Sequence, residues 1–281
     1  MDLIKSMASI KKELSEYGLF PKKRLGQHFL VDRNILNKVV RTAGVEKDDV
    51  VVEVGPGLGE MTLTLARLAK RVIAVEIDPQ LVDVLKKKLA DWPNVEVVKG
   101  DILKVDFGSF LEKEGRPVKV VANLPYQIST PLLFRFIEAK KVFTTFTLML
   151  QKEVARRMAA SPGGKEYGRL SVLVQRFLDL SIRFFIPPSA FSPRPKVESA
   201  VVQMFWKEKP MVEAQDEEWF KKVVKACFGY RRKTLVNALK HSDLPLPESI
   251  ESRMEKIEID PRRRPETLTI EEFIRLAEAL K

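Results

Sequence analysis

Residues Val50-Val-Val-Glu-Val54 form a β-branched run that passes directly into Gly55-Pro-Gly-Leu-Gly59. Helical spacing follows through Met61, Leu63, Leu65 and Leu68. Strand, glycine turn and helix in that order commit the chain to an α/β unit, and this is the context in which such glycines bind a nucleotide. Glycine lets the backbone approach a ligand closely, and a helix start offers free N–H groups to an anionic end. The spacing is G-x-G-x-G rather than the G-x-G-x-x-G of dinucleotide enzymes, which counts against a pyrophosphate. A tight strand–helix turn without a ligand is the plainer reading, and three glycines in five positions make it the weaker one.

Two further strand tips extend the pattern. Val72-Ile-Ala-Val-Glu-Ile77 ends in Glu76-Ile77-Asp78, and an acid at the second strand tip can accept both hydroxyls of a ribose. Val95-Glu-Val-Val-Lys99 is followed by Gly100-Asp101-Ile102, where Asp101 is placed to accept from an adenine amine. Singly, each acid reads as a helix cap or a surface charge. Together the three tips describe an adenosine pocket.

A fourth strand, Val118–Ala122, leads into Asn123-Leu124-Pro125-Tyr126. Ser129-Thr130-Pro131 then reads as a hydroxyl cap with proline at the first helical position. In an open α/β sheet that rim is where ligands bind. The tetrapeptide offers an amide, a carbonyl with no N–H behind it and an aromatic ring, which suit a planar base carrying an exocyclic amine. Alone, it reads as a turn that caps a strand. Nicotinamide cofactors and S-adenosylmethionine both contain adenosine. The missing pyrophosphate spacing and this tetrapeptide favour S-adenosylmethionine and methyl transfer to an amine. The one cysteine, Cys227, lies far beyond the core, which weakens carbon methylation through a cysteine nucleophile.

Charge narrows the partner. The chain has 281 residues and a net charge of +11. Residues 1–190 hold 31 Lys and Arg against 22 Asp and Glu, and the remainder hold 18 against 16, so a polyanion is expected to meet the first two-thirds. No apolar run reaches the ~18 residues of a spanning helix, so nucleic acid is favoured over membrane. One cysteine and two distant histidines, His28 and His241, allow no disulfide within the chain and no cysteine-based metal cluster. No secretory signal is visible. A cytoplasmic protein working without a metal is expected.

At this point a resemblance becomes close. Leu25-Gly-Gln-His-Phe-Leu30, Glu53-Val-Gly-Pro-Gly-Leu-Gly59, Val75-Glu-Ile-Asp78, Gly100-Asp-Ile-Leu103 and Asn123-Leu-Pro-Tyr126 resemble the bacterial KsgA family of small-subunit rRNA adenine dimethyltransferases, relatives of the Erm resistance enzymes. Tyr167-Gly-Arg-Leu-Ser171, Ala190-Phe-Ser-Pro-Arg-Pro-Lys-Val197 and Phe228-Gly-Tyr-Arg-Arg-Lys-Thr-Leu235 continue it. The likeness spans roughly residues 22–280, and only the leading twenty-one look longer than the family needs.

The resemblance implies a Rossmann-like S-adenosylmethionine-dependent methyltransferase sheet with a small C-terminal helical domain. The expected divisions are an N-terminal extension (1–21), a catalytic domain (22–209) and a helical domain (210–281). Gln27, His28, Leu30, Gly55, Gly57, Glu76, Ile77, Asp101, Ile102 and Asn123 would hold the cofactor. The substrate implied is two adjacent adenosines in a hairpin loop near the 3′ end of 16S rRNA in the small subunit, each methylated twice, by a monomeric enzyme. Lys22, Lys23, Arg24, Arg231 and Arg232 are the expected RNA contacts, with solvated basic loops as the alternative. A non-catalytic ribosome-assembly factor, an Erm-like large-subunit enzyme and a methyltransferase acting on DNA or protein glutamine are the competing readings. Leu124, where the last group usually has proline, argues against it.

The chemistry expected of Asn123, Leu124, Pro125 and Tyr126 follows from the substrate. An adenine amine is a poor nucleophile because its lone pair is conjugated with the ring. Acceptors on both N–H bonds, the Asn123 side-chain oxygen and the carbonyl of Leu124 or Pro125, draw the nitrogen toward tetrahedral geometry. Tyr126 stacks on the base, and Phe191 supplies a second face unless it is a core residue.

The remaining elements are read from spacing. Helices are expected over 9–19 with Ser9 as cap, over 32–44 capped by Asp32, and over 151–160. Strands are expected over 142–149, 180–186 and 197–206. Four helices follow proline 210: 217–227, 233–240, 250–256 and 270–280. Arg262-Arg-Arg264 is a second candidate phosphate contact. Met7 is an alternative start.

Overall fold

The computed structural model describes residues 7–111, 114, 118–140, 142–208, 216–230 and 232–281. By internal contacts the chain divides into two compact units, residues 1–155 with 181–205, and residues 156–180 with 206–281. The boundary expected at 209 is therefore not a single cut. Residues 156–180 join the C-terminal unit because their helix packs on the helices there.

The first unit runs α1 (Met7–Glu16), β1 (Phe29–Leu30), α2 (Arg33–Ala43), β2 (Val50–Val54), α3 (Glu60–Ala66), β3 (Arg71–Glu76), α4 (Pro79–Lys88), β4 (Val95–Lys99), α5 (Phe107–Leu111), β5 (Val118–Asn123), α6 (Ser129–Glu138) and β6 (Phe143–Gln151). After α7 (Lys152–Ala159) and α8 (Arg169–Gln175), β7 (Leu178–Ile186), β8 (Phe191–Ser192) and β9 (Ser199–Trp206) return to the sheet region. Seven strands form one sheet in the order β4-β3-β2-β5-β6-β9-β7, while β1 and β8 pair apart from it. Strands β4, β3, β2, β5 and β6 are parallel and β9 runs antiparallel to β6. This is the α/β methyltransferase architecture expected. The order reverses between β2 and β5, and ligands in open α/β sheets bind outside the strand ends at such a point.

Burial explains the central strands. Every residue of β2 is buried, and Val120, Val121 and Ala122 of β5 are each no more than 1% exposed. Strands covered on both faces read as continuous apolar runs. Helix α2 starts where Asp32 Oδ1 accepts the Asn34 and Ile35 N–H groups at 2.9 and 3.1 Å, and stops at Gly44 with φ +57°. Three helix starts differ from expectation, one of them that of the helix expected over 233–240, which begins at Leu235. Helix α1 begins at Met7, so Ser9 lies inside it. Helix α6 begins at Ser129 after Ile128, and the Ser129 hydroxyl donates back to the Tyr126 carbonyl at 2.9 Å. Pro131 thus falls at the third helical position, where its missing N–H still costs no intrahelical bond.

The second unit adds α9 (Glu217–Cys227), α10 (Leu235–Lys240), α11 (Ile250–Lys256) and α12 (Ile270–Ala279). Phe220, Val224, Leu239, Met254 and Phe273 are fully buried there. Arg176, 1% exposed, pairs with Glu217 at 2.7 Å and lies over the Phe220 ring at 4.3 Å.

Candidate active site

The C-terminal tips of β2, β3, β4 and β5 open into one pocket. Gln27, His28, Leu30, Gly55, Gly57, Glu76, Ile77, Asp101, Ile102 and Asn123 all line it, as do Leu124, Pro125 and Tyr126. Residues scattered over a hundred positions converge because four parallel strands end on the same edge.

The glycine turn closes one wall. Gly57 has φ +61°, and a Cβ there would stand 3.0 Å from the Phe29 ring. Gly59 has φ +80°, and its Cβ would stand 2.9 Å from Leu85 Cδ2 on α4. Both positions combine left-handed backbone with a close neighbour, so a side chain there would be strained and would require Phe29 or Leu85 to shift.

Glu76 ends β3 almost fully buried. Its Oε1 accepts the Asp78 N–H at 2.9 Å and its Oε2 the Gly57 N–H at 3.4 Å. Burial raises its pKa, and these N–H groups pull it back. Each oxygen keeps a lone pair for a ligand hydroxyl. Glu53, one strand over and 1% exposed, also lines the pocket. Burial pushes its carboxyl up to about 8, with Glu76 adding to the shift and the Thr62 hydroxyl opposing it. Thr62 stands near enough to temper the shift but outside hydrogen-bonding geometry, so neither Glu53 oxygen is paired. At the β4 tip, Asp101 Oδ1 accepts the Leu103 N–H at 3.0 Å. It is both a turn cap and a pocket wall. Ile102 is buried beside it, and Ile77 is 47% exposed at the rim.

At the β5 tip, Asn123 Nδ2 donates to the His28 backbone carbonyl at 2.9 Å. A carbonyl can only accept, so this bond fixes which way the amide faces. The His28 ring donates from Nδ1 to the Pro193 carbonyl at 2.7 Å. Pro125 O accepts the Ile128 N–H at 3.1 Å in the turn that starts α6. The Tyr126 hydroxyl bonds Ser199 Oγ at 2.7 Å, and its ring lies 5.8 Å from the His28 ring at 28°. Burial raises the Tyr126 pKa against the opposing Ser199 bond, so the phenol is neutral at ordinary pH.

The segment before β1 is tied into this wall. Lys22 Nζ meets Asp78 Oδ1 at 2.7 Å. That corrects its assignment as an RNA contact, since its ammonium is held by a buried carboxylate. Lys23 and Arg24 are exposed, and Arg24 also lines the pocket. Helix α1 belongs to the same wall: Ile10 and Leu14 pack with Leu58, Leu81 and Val84, and Ile10 reaches the pocket. Lys88 Nζ bonds Glu13 Oε1, the Leu58 carbonyl and Glu60 Oε1 at 2.9, 2.6 and 2.7 Å. Ile10, Glu13 and Leu14, within the expected extension, are thus packed or bonded into this wall.

Phe191 is a second correction. It is 0% exposed within a cluster that includes Val39, Val121, Met149 and Val201, so it offers no face to a base in this structure. Of the basic clusters, Arg231 lies outside the described residues and Arg232 is exposed. Arg263 is held by Glu272 and Thr267, leaving Arg262 and Arg264 on the surface. No group of three or more His, Cys, Asp or Glu among the described residues is placed to hold a metal ion.

Sequence reasoning passed over Glu53, Asp78, Ile10 and Ser199. Glu53 alone left a signal, an acid inside an otherwise apolar strand.

Residues 20–281 match the family described as ribosomal RNA adenine dimethylase. The protein named ribosomal RNA small subunit methyltransferase A from Alkaliphilus oremlandii is 46% identical, covering 100% of this chain and 99% of its own. The protein of that name from Lactococcus lactis is 44% identical, covering 100% and 97%. The family model thus begins at residue 20, while these two relatives align along the leading residues as well. Among solved structures, a dimethyladenosine transferase from Plasmodium falciparum superposes with a TM-score of 0.74 at 29% identity, over 89% of this chain and 96% of that one. The 23S rRNA methyltransferase ErmE gives 0.67 at 28%, over 90% and 99%.

Proposed function

The chain belongs to the ribosomal RNA adenine dimethylase family and is an S-adenosylmethionine-dependent rRNA adenine dimethyltransferase; we propose that it acts on two adjacent adenosines in a hairpin loop near the 3′ end of 16S rRNA, within the small subunit, as a cytoplasmic monomer. The small-subunit choice is supported by relatives of that name at 44–46% identity, against 28% for the large-subunit enzyme. No helix of the described residues is long and apolar enough to cross a membrane.

The pocket fits the cofactor. An unpaired buried carboxyl on Glu53 beside the glycine turn suits an ammonium, two free lone pairs on Glu76 suit a ribose diol, and Ile77 with Ile102 suits a purine. When bound, S-adenosylmethionine supplies an electrophilic methyl group on a sulfonium. This chain's residues do the rest. The observation that carries the assignment is the Asn123 amide: its nitrogen is turned to the His28 carbonyl, which orients Oδ1 as the acceptor offered to an adenine N–H. Pro125 O is taken by the turn, which leaves the Leu124 carbonyl for the second N–H. Two acceptors at that tip draw the amine out of conjugation and aim its lone pair. Tyr126, held by Ser199, stacks on the base. Stacking worth ~1–3 kcal/mol offsets an unstacking cost of a few kcal/mol. Attack leaves a cation that loses its proton afterwards, so no base of shifted pKa is needed, and catalysis is mainly alignment.

The test is methyl transfer from labelled cofactor to small subunits lacking the modification, with mass analysis of the adenosines. Dimethylation of two adjacent adenosines is expected. Label on large-subunit RNA instead would move the assignment to the resistance-enzyme branch, and label on neither would return it to an assembly factor.

A further inference from the structure

Asp78 takes part in no step above, yet this carboxylate, at 3% exposure, is bonded to Gln27 and Glu76, both of which line the pocket. Its Oδ1 accepts from Lys22 Nζ at 2.7 Å and from the Gln80 N–H at 3.1 Å. Its Oδ2 accepts from Gln27 Nε2 at 3.1 Å, and its own N–H donates to Glu76 Oε1 at 2.9 Å. Gln27 Oε1 in turn accepts the Lys22 backbone N–H at 2.8 Å. This ring of bonds fastens residues 22–27 to the tip of β3. The next residue is His28, whose carbonyl orients Asn123, and Phe29-Leu30 then pairs with Phe191-Ser192. The segment is anchored at both ends, with His28 between.

Capping α4 does not account for this arrangement. A cap needs one oxygen on one N–H, and serine or asparagine supplies it as well. Here the second oxygen and a cation are recruited from a segment more than fifty residues away. Although burial works against it, Lys22, Gln27 and the Gln80 N–H hold the Asp78 carboxyl below the usual carboxylate range, so the latch is charged throughout the neutral range.

We propose that Asp78 is a positioning residue for methyl transfer: by holding Lys22 and Gln27 it sets the register of residues 22–28. Asp78 then serves both sides: its backbone N–H holds Glu76 on the ribose side, and its carboxylate, through the segment that carries the His28 carbonyl, sets the Asn123 amide on the reacting side. This rests on the rRNA dimethyltransferase reading for the role of Asn123, but the latch itself is tested without RNA.

The experiment uses the full chain and three variants, Lys22→Met, Lys22→Arg and Asp78→Asn. Binding of S-adenosylhomocysteine is measured by calorimetry, and strap opening by the rate of trypsin cleavage after Lys23 and Arg24, both without RNA. Single-turnover methylation of unmodified small subunits is then read at saturating cofactor. Lys22→Met is expected to weaken S-adenosylhomocysteine about tenfold, speed cleavage by a similar factor and slow the saturated rate. Lys22→Arg restores all three. Asp78→Asn, which keeps an oxygen for the cap, behaves as Lys22→Met does. If Lys22→Met leaves binding and cleavage unchanged, the proposal is overturned, whether or not subunit methylation falls. Asp78→Asn that lowers only the unfolding midpoint reduces Asp78 to a cap and overturns it too. Failure of the unsubstituted protein to methylate small subunits sinks the family-level substrate instead, and leaves the RNA-free results standing.

Discussion

Asn123 Nδ2 donates to the backbone carbonyl of His28 across 2.9 Å, a bond between the tip of β5 and a segment ninety-five residues earlier. Because a backbone carbonyl has no donor state, the amide cannot turn over without losing it. The acceptor face is thereby set before any substrate arrives.

Replacing Asn123 with alanine removes that acceptor. Single-turnover methylation should fall about 100-fold or more, since alignment supplies most of the rate. S-adenosylhomocysteine binding, measured separately, should change much less. Undiminished transfer would remove Asn123 from the mechanism.

Tyr126 should matter more for the second methyl than for the first. A monomethylated amine has one hydrogen left, so one of the two acceptors loses its partner and stacking carries more of the binding. Tyr126→Ala is expected to accumulate monomethyladenosine, and Ser199→Ala, which frees the phenol, to do so more mildly. Mass analysis of partial reactions decides it, and equal loss of both steps would contradict the idea.

Glu53 makes stability pH-dependent. Its carboxyl titrates near 8 in the fold against 4.5 when exposed. Between those values the folded state binds more protons than the unfolded one, so stability is highest below pH 4.5 for this group and declines as pH rises to 8. Without cofactor, Glu53→Gln should flatten the decline of the unfolding midpoint between pH 5 and 8. In calorimetry across buffers of different ionisation enthalpy, S-adenosylmethionine should release a proton near pH 7, and Glu53→Gln should abolish that release.

Phe191→Ala separates core packing from stacking. Fully buried in the cluster around Met149 and Val201, it should cost ~3–5 kcal/mol in chemical unfolding. An unchanged unfolding curve with impaired subunit binding would restore the stacking role.

Gly57 and Gly59 should fail differently. Gly57→Ala drives Phe29 into the pocket wall and should abolish S-adenosylhomocysteine binding in a protein that still folds. Gly59→Ala meets Leu85 beneath α4 and should lower stability by ~1–3 kcal/mol. Calorimetry and chemical unfolding distinguish the two.

Most of the fold was legible because strands covered on both faces write themselves as near-continuous apolar runs, and β2, β3 and β5 do so, broken only by Glu53 in β2 and Lys119 in β5, while the edge strand β4 alternates with Glu96. The strand-tip residues were legible for a related reason: a polar residue directly after such a run has few places to be. What stayed hidden depends on pairings of distant segments. Lys22 reads as one of three basic residues in a loop, and nothing local says that Asp78 waits for it. Phe191 between prolines looks like a presented ring, and only β1 pairing with β8 shows it turned inward. Ser199 is an ordinary strand residue until Tyr126 reaches it. The start of α6 slipped because the Ser129 hydroxyl donates back to the Tyr126 carbonyl from within the first turn instead of capping an N–H from the flank.

The antiparallel return of β9 beside β6 has a consequence for assembly on the ribosome. The lining of the pocket ends with Met149 on β6, so all of it has been made once a nascent chain has emerged a little past β6. The reacting end cannot be finished then, because Pro193 and Ser199, which steady His28 and Tyr126, have yet to be translated. The pocket lining is thus complete in the chain before the residues that steady its reacting end.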